Sequence, residues 1–304
     1  MIVDLTDTTA GAIATALIDA RRRAGVPATG MVLTLVIVTS EGEHYDALRA
    51  AQDAAREHPS RIVVTILRPG GRGGARLDAE VRFLGDAGPG ETVVLRLNGE
   101  LAEHAESVLL PLLLPDAPVV AWWPGEAPQV PADDPVGALA QRRVTDAAAA
   151  SDPMAALVAR AEGYRPGDTD LSWTRLTGWR TLLAAALDRP HAQVLGAQVA
   201  CEAGSPSAVL LAAWLSACFT VPVTRVDSPG PGITEVRLDT ADGPIEVSRP
   251  DGRLARLSRP GEPDRQVALQ QRVTAEILAE EMRRLDPDDV YAWVVGQVGA
   301  GIDA

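Results

Sequence analysis

No lysine occurs in this chain: all 28 of its basic residues are arginine, set against 41 acidic residues, for a formal net charge of −13. We read the missing lysine as a matter of coding composition rather than mechanism. The acidic balance argues against nonspecific nucleic-acid binding, which depends on neutralising phosphates, and against docking on anionic lipid. Cysteine is nearly as scarce. Cys201 and Cys218 are the only two, too few for a disulfide framework and without zinc spacing, so a reducing, cytoplasmic setting is expected. The opening MIVDLTDTT has neither the basic nor the apolar region of a secretory signal. The runs 31–38 and 208–219 are too short to span a bilayer, and the stretch 108–123 is broken by Pro111, Pro115, Asp116 and Pro118. Four histidines, His44, His58, His104 and His191, offer no pair at metal-ligand spacing.

What remains is ordinary globular material. With 304 residues, 46% hydrophobic and 23% charged, the chain is long enough for two domains. Ala10, Ile13, Ala14, Leu17 and Ile18 recur at helical spacing behind a Thr8 or Thr9 cap, and Arg21-Arg22-Arg23 before Gly25 suits a helix C-terminus. Val32–Val38 and Arg61–Leu67 are continuous β-branched runs, as in strands buried on both faces, with a helix over 44–57 between them. That β-α-β order implies a right-handed crossover. Short strands over 79–84 and 92–97, a helix over 100–110, an interior strand over 118–123 and helices near 137–142 and 152–161 complete a Rossmann-like, parallel-sheet domain over 1–168. The polar stretch Glu162–Asp170 is the expected linker.

The second domain, 169–304, reads as α+β. A helix (172–187), strand (192–200), helix (206–218) and strand (221–226) precede short strands at 233–238, 245–248, 254–258 and 266–269. Asp, Gly and Pro turns separate these as in an antiparallel meander. Helices over 270–284 and 287–295 close the chain. Cys218 is expected to be buried in the apolar helix. Cys201, at a strand-to-helix junction, is expected to be the more exposed and more reactive thiol. A helix advancing about 1.5 Å per residue carries Cys218 roughly 18 Å away, beyond the reach of a disulfide.

Chemistry is hard to find. Gly70, Gly71, Gly73 and Gly74 follow a strand, but Arg76 stands where a third dinucleotide-binding glycine belongs, and a strand rather than a helix follows. The segment 68–76 is read as a surface loop whose Arg68, Arg72 and Arg76 can touch an acidic partner. His104 with Glu100 one turn earlier reads as a solvated helix face. There is no G-x-S-x-G. We assign no catalytic, cofactor or metal-binding residue. The most distinctive segment is Asp170-Leu-Ser-Trp-Thr-Arg-Leu-Thr-Gly-Trp-Arg180. Its Trp173, Arg175, Trp179 and Arg180 form either a core-packing helix or an interface patch, since Trp and Arg are enriched at binding hot spots. Arg175 and Trp179, one turn apart, are placed to stack. Trp122 and Trp123 end a parallel strand, where open α/β sheets place ligand sites. Because neighbours on a strand point to opposite faces, at most one of them is expected in the core.

Four stretches together resemble the glucose-6-phosphate dehydrogenase assembly protein (OpcA) family: MIVDLTDTTAGAI at the start, Ala47–Arg61, Leu109–Pro124 and Asp170–Arg180. The resemblance implies a partner that assembles or activates glucose-6-phosphate dehydrogenase, without a cofactor or reaction of its own. Some members are thought to couple that activation to thiol redox state. We match neither Cys201 nor Cys218 to those positions, and both are expected to be structural. The competing class is a Rossmann-like enzyme or binding protein for a nucleotide or sugar phosphate. A scaffold for another metabolic complex is a third.

Overall fold

A computed structural model of the chain describes residues 1–24, 30–70, 74–83, 90–188 and 191–299. Gly25 and, in the glycine loop, Gly71, Arg72 and Gly73 lie outside the described residues. The chain forms two compact units, each discontinuous in sequence. Unit 1 is Met1–Asp146 with Gly167–Thr169 and Thr274–Pro287; unit 2 is Ala147–Pro166, Asp170–Val273 and the residues from Asp288 on.

Unit 1 holds, in chain order, β1 (Ile2–Leu5), α1 (Ala10–Ala24), β2 (Leu33–Thr39), α2 (His44–Ala54), β3 (Ser60–Arg68), β4 (Arg76–Phe83), β5 (Gly90–Asn98), α3 (Ala105–Leu109), β6 (Val119–Trp122) and β7 (Arg142–Thr145). To these it adds β8 (Asp168–Asp170, its last residue beyond the unit's edge) and α8 (Thr274–Arg283). The eight strands form one sheet in the order β1-β4-β5-β3-β2-β6-β7-β8. Strands β5, β3, β2, β6 and β7 run parallel, while β4 runs antiparallel to both its neighbours, β5 and β1. This is the Rossmann-like α/β arrangement, with β2 flanked by β3 and β6 at the point where strand order reverses.

Every residue of β2 is buried, because both faces of the sheet are covered. Ile13, Leu17 and Ala20 of α1 pack into one core cluster with Val36, Val63 and Leu95. On α2, Ala47, Leu48 and Ala51 are buried, and α8 packs against α2. Strand β5 contributes buried Glu91, which pairs with Arg61 at 2.6 Å and with Arg21. Two guanidiniums on one carboxylate satisfy that carboxylate fully. Arg21, expected only as a helix-end cation, thus also ties α1 to the sheet.

Three local expectations fail in unit 1, and one strand was not foreseen. The opening MIVDL forms β1, paired with β4. The helix over 100–110 is broken into a 3-10 stretch (99–104), α3 and a further 3-10 turn (110–112), with Pro111 interrupting the ladder. Over 137–142 there is one 3-10 turn, Gly137–Leu139, and Arg142 already opens β7. Trp122 and Trp123 are both buried, since a sheet covered on both faces makes either side of a strand interior.

Unit 2 holds α4 (Pro153–Gly163), α5 (Leu171–Thr174), α6 (Thr177–Leu187), β9 (Val194–Cys201), α7 (Pro206–Phe219), β10 (Val223–Asp227), β11 (Ile233–Thr240), β12 (Ile245–Ser248), β13 (Leu254–Ser258), β14 (Arg265–Ala268) and α9 (Asp289–Gly299). Its sheet runs β10-β9-β11-β12-β13-β14. The pair β9 and β10 is parallel and joined through α7. From β9 to β14 the pairing is antiparallel, which is the expected meander. The helix over 172–187 is divided in two at Arg175 and Leu176, and the helix over 270–284 starts only at Thr274.

The cysteines exchange roles. Cys201 is buried and Cys218 exposed, and neither is bonded. Cys201 falls on an inward position of alternating β9, whereas Cys218 lies in the last turn of α7. Burial raises both thiol pKa values; at Cys201 Arg225 pulls back down and Asp227 pushes up. Both therefore rest as thiols, the unreactive form. Oxidised and reduced protein are expected to act alike on any partner, and Cys201→Ser and Cys218→Ser to leave that action unchanged. A loss of twofold or more on oxidation that either substitution abolishes contradicts this.

Meander residues Glu235 and Glu246 are diagonal neighbours on β11 and β12. Burial, then the Glu246 charge, raises the Glu235 pKa above its ordinary 4.5. A raised acid favours folding below 4.5 and loses that contribution as pH rises through its folded value. Glu235→Gln is accordingly expected to stabilise the fold at pH 7 by up to about 1 kcal/mol. Denaturant melts at pH 7 and pH 4 test this: the gain should shrink toward zero at the lower pH, and an equal gain at both contradicts it.

Candidate functional site

In unit 1 the ligand position of an open α/β sheet is the loop between β2 and α2, beside the end of β6. A phosphate site there needs bare backbone N–H groups at the helix N-terminus. Here the loop reads Ser40-Glu41-Gly42-Glu43. The Ser40 hydroxyl donates to Glu43 at 3.0 Å, and the Glu43 carboxylate lies against Gly125, 3.3 Å from where a Cβ would stand. Glu41 is paired with Arg68 and, at 3.4 Å, with Arg96. Burial alone would raise the Glu41 pKa, but the hydrogen bonds and charges of Arg68 and Arg96 outweigh it and hold the group below its ordinary value. The loop at this helix terminus thus carries two acidic side chains, a poor setting for a phosphate. Arg68 and Arg76, read as able to touch an acidic partner, already hold carboxylates of this chain: Arg68 pairs with Glu41, and Arg76 with Asp78 at 2.9 Å.

Unit 2 carries a cavity of about 410 Å³. It opens where β9 hands over to α7, the C-terminal end of a parallel pair. Gly204 takes a left-handed φ of +69°, so the chain turns sharply before Ser205. The Ser205 hydroxyl caps α7 by accepting from Ala208 N, and Pro206 occupies the first turn, the preferred chemistry for starting a helix. Ser207 donates its hydroxyl to Ser172 O at 2.8 Å. Arg175, Arg249 and Arg272 also line the cavity, with one carboxylate, Glu202. Glu202 is turned to the neighbouring turn, accepting from Gly232 N at 3.2 Å.

Of the sequence candidates, Arg175 and Trp179 line this cavity. Trp173 and Trp179 are both buried. The Arg180 guanidinium lies 3.8 Å from the Trp173 ring centroid, and Arg249 lies 5.0 Å from that of Trp179. Arg175 and Arg180 are half-buried. Trp122 and Trp123 lie in the other unit, inside its core. Arg249 and Arg272 escaped the sequence reading. They sit in the meander and its exit, where an isolated arginine looks like any solvated one. Among the described residues no group of three or more His, Cys, Asp or Glu is placed to hold a metal, and no helix is long and apolar enough to cross a membrane.

The fold and these two places define a class: a two-unit α/β protein, Rossmann-like in unit 1, with carboxylates in its nucleotide position and a basic cavity in an α+β unit. Two family profiles match the chain, the glucose-6-phosphate dehydrogenase subunit N-terminal domain over residues 51–162 and the C-terminal domain over 166–295. The chain belongs to the OpcA family of glucose-6-phosphate dehydrogenase assembly proteins, a family of the pentose phosphate pathway.

Comparison with curated proteins returns no match. Among solved structures, KijD10, a 3-ketoreductase from Actinomadura kijaniata in complex with NADP and TDP-benzene, is 9% identical with a TM-score of 0.48, over 88% of this chain and 94% of that one. An oxidoreductase from Sinorhizobium meliloti is 13% identical with a TM-score of 0.41, over 88% and 86%. At such scores no chemistry carries over.

Proposed function

We propose that this chain is a non-enzymatic protein that binds glucose-6-phosphate dehydrogenase and acts as its assembly factor and allosteric activator. The observation that carries this reading is the pair of family domains, consecutive over residues 51–295. The carboxylates of Glu41 and Glu43 at the Rossmann-like ligand position support it, because they disfavour a dinucleotide there. The decisive assay adds the chain at saturation to the cognate dehydrogenase. A change in rate or in cooperativity toward substrate is expected. Unchanged kinetics overturn the reading.

The contact surface we propose is the α5–α6 segment. Trp173 and Trp179 serve as its packed base, while half-buried Arg175 and Arg180 supply the contacts. Trp122 and Trp123 act as core supports within unit 1. Arg175→Ala and Arg180→Ala are each expected to weaken the complex by about 2 kcal/mol, the size of a hot-spot truncation, roughly thirtyfold in Kd. Melting should stay near the parent value. Normal binding by both variants places the interface elsewhere.

A further inference from the structure

On a chain of net charge −13, the cavity of unit 2 is lined by three arginines and one glutamate. Pro206 has no N–H and Ser205 takes the N–H groups of Ala208 and Val209, so what α7 offers an anion is mainly its dipole, over 14 residues. The loop before it is the strand-to-helix turn at the C-terminal end of parallel strands, where α/β sheets bind ligands.

The independent observation is Arg249. It is only 5% exposed. Its Nη1 and Nη2 donate to the carbonyls of Leu269 and Ile233, each at 3.0 Å, and its Nε has no hydrogen-bond partner. Carbonyls orient a guanidinium without neutralising it. Burial pulls the Arg249 pKa below its ordinary value, and the charge of Asp251 pulls it part of the way back. Asp251 is itself committed to the N–H groups of Arg253 and Leu254. Arg249 thus lines the cavity as a buried cation held by carbonyls and the Trp179 ring, with no carboxylate bonded to it, and a nearby anion would offset the cost of that charge.

We propose that this cavity binds a small phosphorylated metabolite, with the phosphate between Arg249, Arg272 and the N-terminus of α7. The volume lies at the lower end of small-ligand sites, about 300–1,000 Å³, and so suits a compact phosphate ester rather than a dinucleotide. Gln270 and Gln271 supply amide partners for hydroxyl groups, and Leu176 and Ile233 an apolar wall.

The test is titration of the full chain, without the dehydrogenase, by isothermal calorimetry against inorganic phosphate, ribose 5-phosphate and ribose. Ribose 5-phosphate is expected to bind with Kd of about 1 mM or tighter, at least as tightly as phosphate, and ribose not at all. Arg272→Gln, at a half-buried position, should weaken it about tenfold or more with unchanged melting. Arg249→Lys, which keeps the charge but loses the fork, should also weaken binding, with lower melting because the Leu269 and Ile233 carbonyls lose a donor. No saturable binding of ribose 5-phosphate, equal binding of ribose, or binding unaffected by Arg272→Gln overturns the proposal. The inference stands apart from the proposed activator role. A null titration leaves the dehydrogenase assay untouched, and unchanged dehydrogenase kinetics leave the titration standing.

Discussion

Replacing Trp173 with alanine is expected to destabilise unit 2 by about 3–5 kcal/mol, the cost of emptying a fully buried aromatic position. Trp173 joins three elements at once. Its indole Nε1 donates to Asp288 Oδ2 at 3.0 Å, and Asp288 Oδ1 accepts from Tyr291 N at 2.9 Å, capping α9. The Trp173 ring packs against Tyr291, with centroids 6.0 Å apart, and carries the Arg180 guanidinium on its face. Truncation therefore leaves a cavity, a carboxylate without its indole donor and a guanidinium without its platform. Trp173→Phe keeps the packing and the face but not the N–H, and should cost about 1–2 kcal/mol. Since a two-unit chain need not melt in one step, the loss should appear in a transition that hydrogen exchange assigns to α5, α7 and α9. A Trp173→Ala chain that melts like the parent contradicts the buried placement of the segment.

The second large effect belongs to unit 1. Arg142 is 1% exposed and spends its fork on α8 and the turn after it: Nε and Nη2 donate to Glu281, and Nη1 donates to Asp286 O at 3.0 Å. Glu281→Ala leaves the guanidinium buried beside the remaining carbonyl, a change that typically costs about 3–5 kcal/mol. The double replacement Arg142→Leu with Glu281→Leu removes both charges. It is expected to recover most of that loss, because a hydrophobic pair in place of a buried ion pair is often neutral. Denaturant melts of the single and double variants decide it. Equal losses in the two show that the cost is packing rather than a stranded charge.

Much of the fold was legible in the residues because burial and composition agree there. LTLVIVT and SRIVVTILR are apolar enough to place themselves inside a parallel sheet, and the turn-separated strands of the meander alternate as half-buried strands do. The misreadings share a cause, which is that tertiary partners override composition. Asp168-Thr169-Asp170 is as polar as any linker, yet it forms β8 and is buried. Asp168 takes Arg143 as its partner, and Asp170 accepts from the N–H groups of Ser172 and Ala147. At 137–142 the alanine-rich sequence suggests a helix, but Gly137 lies where a Cβ would stand 1.8 Å from Pro131 O, a closeness that no sequence pattern announces. The candidate site was half visible. Trp173, Arg175, Trp179 and Arg180 stand out as a group, while Arg249 is an ordinary arginine until the meander brings it over Trp179.

The measurement closest to the central claim is size-exclusion chromatography of this chain with the cognate glucose-6-phosphate dehydrogenase, read by light scattering. A peak heavier than either protein alone, containing both and weakened by Arg175→Ala, is the expected result. Separate elution at concentrations well above the activating range, with the dehydrogenase in its active oligomer, contradicts the account.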